Sequence, residues 1–182
     1  MAKVKRASVY FSKTGSKNTA DVIEAVARRV KEGDIKIVVL ASTSGRTGVK
    51  FAEALKGRAN VVVVSHEKMD PKLKARIVEL GAVAADQTHL PLHAKGMDDI
   101  RNALYTLGQG FKVAVEVILI ATDKGLIEPG TDVIGVAGSG AGADTAIVAR
   151  STKTKEIFST DRNKKLEVRE ITAMPSAKKW WD

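Results

Sequence analysis

The chain has no cysteine, which excludes disulfides, thiolate metal ligation and thiol nucleophiles together. No segment approaches the roughly 20 continuous apolar residues that a membrane-spanning helix needs. The longest apolar stretch, residues 113–121, is interrupted by Glu116, and no membrane partner is expected. The start, Met1-Ala2-Lys3-Val4-Lys5-Arg6, is basic but has no apolar core behind it. An export signal needs both, so the expected location is cytoplasmic. Aromatic residues make up only 4%, which leaves few platforms for stacking bases. The absence of cysteine, with abundant Lys, Arg, Val and Ala, suits a thermophilic source.

Positive charge is what the chain has in excess. Its 30 basic and 21 acidic residues give a formal charge of +9. Clustered bases would point to nucleic acid. Here they are scattered through Lys3-Lys5-Arg6, Arg28-Arg29, Lys72-Lys74-Arg76, Lys164-Lys165 and Lys178-Lys179. A nucleic-acid partner is therefore disfavoured; a solvated basic surface or an anionic small ligand fits the charge. Trp180-Trp181 stands apart as an aromatic pair, which would pack either in the interface of a homo-oligomer or on its own domain.

A length of 182 residues with 44% hydrophobic content sets the expectation of one domain, 1–182, with a self-sufficient core. Residues 8–11 are β-prone, and a helix with Val22, Ile23, Val26, Ala27 and Val30 on one face follows, capped by Asn18 or Thr19 and closed at Gly33. Residues 35–41 read as a strand buried on both faces. A short helix over 49–55, a strand over 61–64, and a helix over 72–80 opened by Asp70-Pro71 come next. Residues 82–85 give a short strand and 98–107 a helix. The run 111–123 is strand-like in its Val and Ile content but helix-like in length, and helix is the reading taken. Strands at 132–137 and 145–149 flank a Gly-rich loop. Residues 166–172 alternate apolar and polar, as a last edge strand would. The alternation of strands and helices predicts an α/β fold: three layers around a mostly parallel, doubly wound sheet.

Three loops carry the chemistry. The first, Phe11-Ser12-Lys13-Thr14-Gly15-Ser16-Lys17-Asn18-Thr19, joins a strand to a helix. Free amides at a helix start, with hydroxyls and a glycine, make a phosphate cradle, and Lys13 and Lys17 add charge. The alternative is an ordinary polar turn. The second, Ser42-Thr43-Ser44-Gly45-Arg46-Thr47-Gly48, repeats this construction. Its Arg46 supplies a forked guanidinium suited to phosphate oxygens. The third, Gly138-Ser139-Gly140-Ala141-Gly142-Ala143-Asp144-Thr145, allows close backbone approach to a ligand. No helix follows it, so a Rossmann dinucleotide reading fails; a plain hairpin is the alternative. All three would meet at the carboxyl ends of parallel strands, where open α/β sheets bind ligands.

The first loop resembles the phosphate loop of flavodoxins. Ser12, Lys13, Thr14 and Gly15 match in order, and Asn18-Thr19 match after an insertion of Ser16-Lys17. The second resembles the effector loop of the pyruvate kinase carboxyl-terminal domain, which holds a phosphate of a sugar bisphosphate. Ser44, Gly45, Arg46 and Thr47 match it, and Ser42 stands where that family has Thr.

Along nearly its whole length the sequence is similar to small archaeal proteins built as a stand-alone pyruvate kinase α/β domain. The similarity is carried by Lys13-Thr14-Gly15 with Asn18-Thr19, the serine-rich turn at Ser42, and Val113-Ala114-Val115-Glu116 with Ala121-Thr122-Asp123-Lys124-Gly125. It continues in Gly142-Ala143-Asp144-Thr145-Ala146 and Ile171-Thr172-Ala173-Met174-Pro175. The resemblance implies a pyruvate kinase carboxyl-terminal-like fold, FMN as cofactor, and an unassigned reaction, with flavin-dependent oxidoreduction the natural class. It does not imply pyruvate kinase activity, which belongs to a separate (β/α)₈ barrel. Ser65 and His66, directly after a strand, stand where a flavin ring or phosphate would sit; a surface histidine is the commoner alternative.

Single residues are less telling. Glu116 in its apolar run requires a partner, either a ligand or a nearby base. Asp144 would fix a ribityl chain or cap its own turn. His89 and His93 flank Pro91 off any regular helix, a poor metal pair. No serine sits in a nucleophile elbow, and no catalytic residue is assigned. A regulatory module that binds a sugar phosphate at residues 42–47 is the competing function.

Overall fold

Buried aliphatic runs set the frame. The structure, a computed structural model, describes residues 3–179. Val9–Phe11 (β1) leads to Thr19–Lys31 (α1), Ile37–Ala41 (β2), Arg46–Leu55 (α2) and Asn60–Val64 (β3). Pro71–Glu79 (α3), Val83–Ala85 (β4), Asp98–Tyr105 (α4) and Gln109–Asp123 (α5) follow. Asp132–Ala137 (β5), Thr145–Arg150 (β6) and Glu167–Pro175 (β7) complete the chain.

The strands form one seven-stranded sheet in the order β1-β7-β6-β5-β2-β3-β4. All are parallel except β6, which runs against both β5 and β7. Alternate strand residues face opposite ways, so Val38, Leu40, Val61 and Val63 pack under Val22, Val26, Phe51, Leu55 and Ile77 of α1, α2 and α3. On the other face Val39, Val62, Val64 and Ile147 pack under Phe111, Val115, Ile118 and Leu119 of α5. The three-layer, mostly parallel α/β expectation is met. Helix α5 lies so close to the sheet that a Cβ on Gly135 would stand 2.6 Å from the Ala114 carbonyl oxygen. No helix among the described residues is long and apolar enough to cross a membrane.

The local signals act as chemistry dictates at α3. Asp70 accepts from the amides of Lys72 and Leu73 at 2.8 and 3.2 Å, with Pro71 in the first turn. Three expectations need correction. Helix α2 starts at Arg46 rather than residue 49, so Arg46 and Thr47 lie in its first turn. Strand β7 is internal, paired with β1 and β6; its alternation reflects an exposed first half, Glu167–Arg169, that leads into a buried second half. Asn18 does hold the N-cap position of α1, but without a side-chain capping bond: its amide donates to the Lys13 carbonyl at 2.8 Å, and the Thr19 hydroxyl is taken up by the Ala143 amide. The Trp180-Trp181 pair lies outside the described residues.

The amino ends of the strands are closed by ion pairs. Arg29 is buried and donates to Asp34 at 2.6 and 2.9 Å and to Glu170 at 2.8 and 3.1 Å. Arg6 reaches the same Glu170 at 2.6 Å. The hydrogen bond from Arg29 holds the Asp34 carboxyl at about 2, below its ordinary 3.8. A depressed carboxyl pKa stabilises the fold above pH 3.8 and stops doing so as pH falls through 2. Arg29→Met should cost about 1 kcal/mol at neutral pH, the scale of a partly exposed ion pair, because Arg6 still reaches both Glu170 and Asp34. The difference from wild type should narrow between pH 4 and 2, as urea unfolding across that range would record.

Candidate functional site

The route of the chain decides which loops meet. Strand β1 lies at one edge, but its helix must reach β2 in the middle of the sheet, so α1 crosses over β7 and β6. That crossing brings the start of α1 against the loop between β5 and β6. The first and third loops therefore interlock, although their strands are not neighbours.

Thr19 and Asp144 form the lock. The Thr19 hydroxyl donates to the Ser16 carbonyl at 2.7 Å and accepts the Ala143 amide at 3.0 Å. Asp144 is fully buried. Its Oδ2 accepts the Gly15 amide at 2.9 Å, while Oδ1 accepts the Ser139 amide at 3.1 Å and the Thr145 hydroxyl at 2.9 Å. Of the two uses expected for Asp144, the structure shows the turn-holding one. Gly142 sits at φ +80°, and a Cβ there would lie 2.6 Å from the Thr19 hydroxyl and 2.7 Å from Ser16 Cα. The inserted Ser16 and Lys17 form, with Asn18, a single 3₁₀ turn that precedes α1.

Two further elements complete this part of the rim. Gly110, in the first turn of α5, packs so tightly that a Cβ would stand 2.8 Å from Asp144 Oδ1. The segment after β7 runs alongside, where the Gln109 amide donates to the Lys179 carbonyl at 3.3 Å and Lys178 Nζ donates to the Pro175 carbonyl at 2.6 Å. Burial lowers the Lys178 pKa and the charge of Asp144 partly restores it, which places this ammonium within reach of the carboxylate's field. Among the described residues, the amides of Ser16, Lys17, Gly140, Ala141 and Gly142 make no hydrogen bond. Buried Gln109 Oε1 has no partner either. Unspent donors beside lysines are what an anion requires.

The second loop shares the rim, since β2 lies beside β5, but it is tied elsewhere. Ser42 is buried and accepts the Gly48 amide at 3.1 Å. Ser44 accepts the Asp70 amide through its carbonyl at 3.3 Å. The Ser65 hydroxyl donates to the Glu67 and Thr43 carbonyls at 2.8 and 3.3 Å, and His66 lies 3.3 Å from Glu67. Thr43, Ser44 and Arg46 are exposed, and the Arg46 side chain makes no ion pair among the described residues. The candidate residues thus fall into two groups: Phe11 to Thr19 with Gly138 to Thr145, and Ser42 to Thr47 with Ser65 and His66. Between α1 and α2, the helices opened by the first and second loops, lies an open, solvent-facing cavity of about 450 Å³. Thr19, Ala20 and Ile23 face Lys50, Glu53 and Ala54 across it. That volume falls in the range of small-molecule pockets.

On the opposite face α5 carries a polar cluster that sequence reading half found. Glu116 does have the base its burial demands: Lys112, one turn earlier, with Nζ at 2.6 Å from Oε2 and both residues about 2% exposed. Lys112 Nζ also lies 2.7 Å from His93 Nε2 and 5.7 Å from the Tyr105 ring centre. The Leu92 amide donates to Glu116 Oε1 at 3.1 Å. Burial first, then the Lys112 charge, push the His93 pKa down, and burial raises that of Tyr105. The four-residue spacing of Lys112 and Glu116 was the available signal. His89 goes elsewhere, to Asp123 at 3.1 Å.

In a comparison with protein families, a family model matches most of the chain. The model of the pyruvate kinase, alpha/beta domain, fits residues 20–149, a span that contains the second loop, the α5 cluster and the Gly-rich third loop.

Proposed function

Because the chain belongs to the pyruvate kinase alpha/beta domain family, a fold separable from a catalytic barrel, we propose that it is a ligand-binding domain whose guest is FMN. The phosphate of the guest is taken up by the first and third loops. One observation carries this reading: two loops from non-adjacent strands are locked together by Thr19 and Asp144, and among the described residues they leave five amides unspent, with Lys178 in the field of Asp144 and Lys179 Nζ 3.8 Å from where a Cβ on Gly140 would stand. The cavity between α1 and α2 adjoins Thr19 and offers an apolar wall of Ala20, Ile23 and Ala54 for a ring system. A bound flavin would supply redox chemistry; the protein supplies position and charge.

The test is a fluorescence titration with FMN and with riboflavin, which differ only in the phosphate. FMN should bind about 100-fold more tightly, the size of a good charge-assisted phosphate contact. Equal affinity for the two, or binding of neither, would refute the proposal.

A second reading is favoured by Arg46, exposed in the first turn of α2 without an ion pair among the described residues. Under it the guest is a sugar phosphate held at residues 42–47. Arg46→Ala should then abolish protection by a sugar bisphosphate in thermal unfolding, yet leave FMN binding unchanged.

A further inference from the structure

We propose that His93 is a proton relay that connects the buried ammonium of Lys112 to a substrate bound on the α5 side of the rim. The chain would then carry proton-transfer chemistry for a substrate atom that gains negative charge, such as an enolate or alkoxide oxygen. This inference does not depend on which ligand occupies the loops.

The geometry is that of a charge store with one outlet. Lys112 lies in the first turns of α5, two residues from the glycine that packs on Asp144, so it sits just beneath the rim. Its ammonium is enclosed by Glu116, the Tyr105 ring and His93. Of these, only His93 is an exposed residue. An ammonium has no acceptor site, so the contact at 2.7 Å makes Nε2 the acceptor and places the ring proton on Nδ1. Nδ1 has no partner among the described residues. A buried ion pair often contributes no more than an apolar pair of the same shape, so stability alone does not call for the cluster.

The relay balances in one step. The Nδ1 proton passes to the substrate anion, Nε2 takes a proton from Lys112 Nζ, and Lys112 is left as a neutral amine beside Glu116. The reverse sequence, fed from solvent, restores the ammonium. Other groups act on the ring as well: Arg101 of α4, His66 after β3, and Glu116 beside Lys112. Burial first, then Lys112, opposes a charged imidazole; Arg101 and His66 add to this and Glu116 acts against it, and the balance favours a neutral ring that can pass a proton in either direction.

The test needs no substrate. In ¹⁵N-labelled protein, exchange of the Lys112 Nζ protons with water is measured for wild type and His93→Gln. Glutamine keeps an acceptor for the ammonium but cannot pass a proton on. Exchange should slow about 100-fold in the variant, the usual scale of a positioned acid–base group, with the melting temperature nearly unchanged. Long-range ¹H–¹⁵N spectra of the wild type should place the ring proton on Nδ1. Equal exchange in both proteins, or a ring proton on Nε2, would overturn the relay.

Discussion

Replacement of Asp144 by alanine should lower the unfolding free energy by about 4 kcal/mol and abolish binding at the first loop. The carboxylate satisfies the amides of Gly15 and Ser139 and the hydroxyls of Ser139 and Thr145 from a fully buried position. Each buried donor left without an acceptor costs about 1–3 kcal/mol; partial relaxation and water entry reduce the sum. The Gly15 contact spans 129 residues of sequence, so its loss also frees the first loop from the third. Asp144→Asn should cost roughly half as much, since one side of its amide is a donor facing donors. Urea unfolding of both variants checks the order. Equal losses would mean that shape, not acceptor chemistry, matters at this position.

The second large effect is expected at Lys112. Lys112→Met should destabilise by about 3–5 kcal/mol, because it leaves Glu116 charged and buried without a counterion. The double variant Lys112→Met with Glu116→Gln should recover at least half of that loss. The glutamine carbonyl can still accept the Leu92 amide, which Glu116 Oε1 accepts at 3.1 Å, and no charge remains to be solvated. A double variant as unstable as the single one would show that the methionine side chain, rather than the stranded carboxylate, is at fault. Coupling of this kind is read from a double-mutant cycle in urea.

Both sites show where sequence reasoning reaches and where it stops. Several local signals were legible: Asp70-Pro71 caps α3, Gly33 closes α1, and the run at 111–123 is a helix as its length required. The Gly-rich loop lies between two strands, as its context indicated. Strand order was not legible. Nothing local tells β7 that it will lie between β1 and β6, since that follows from which faces α1 must cover on its way to β2. The same long-range placement decides that the first and third loops meet while the second turns toward α3. By sequence, Arg46 and Thr47 belong to the hydroxyl-rich turn that ends at Gly48, with the helix starting at residue 49. Gly48 is instead needed inside α2, where a Cβ would stand 2.6 Å from Val63 Cγ1. Lys112 was hidden in an apolar run for a related reason: its stem packs like an aliphatic residue and only its tip is polar. Lys178 could not be foreseen, because its place beside the α5 start depends on β7 being internal.

If the glycine-rich hairpin and the loop after β1 are the two halves of one anion cradle, a ¹H–¹⁵N map recorded during FMN addition will show both responding. Saturable shifts should be largest at the amides of Ser16, Lys17, Gly140, Ala141 and Gly142, which are unspent among the described residues. Shifts confined to residues 43–47, or no saturable shift in either half, would contradict it.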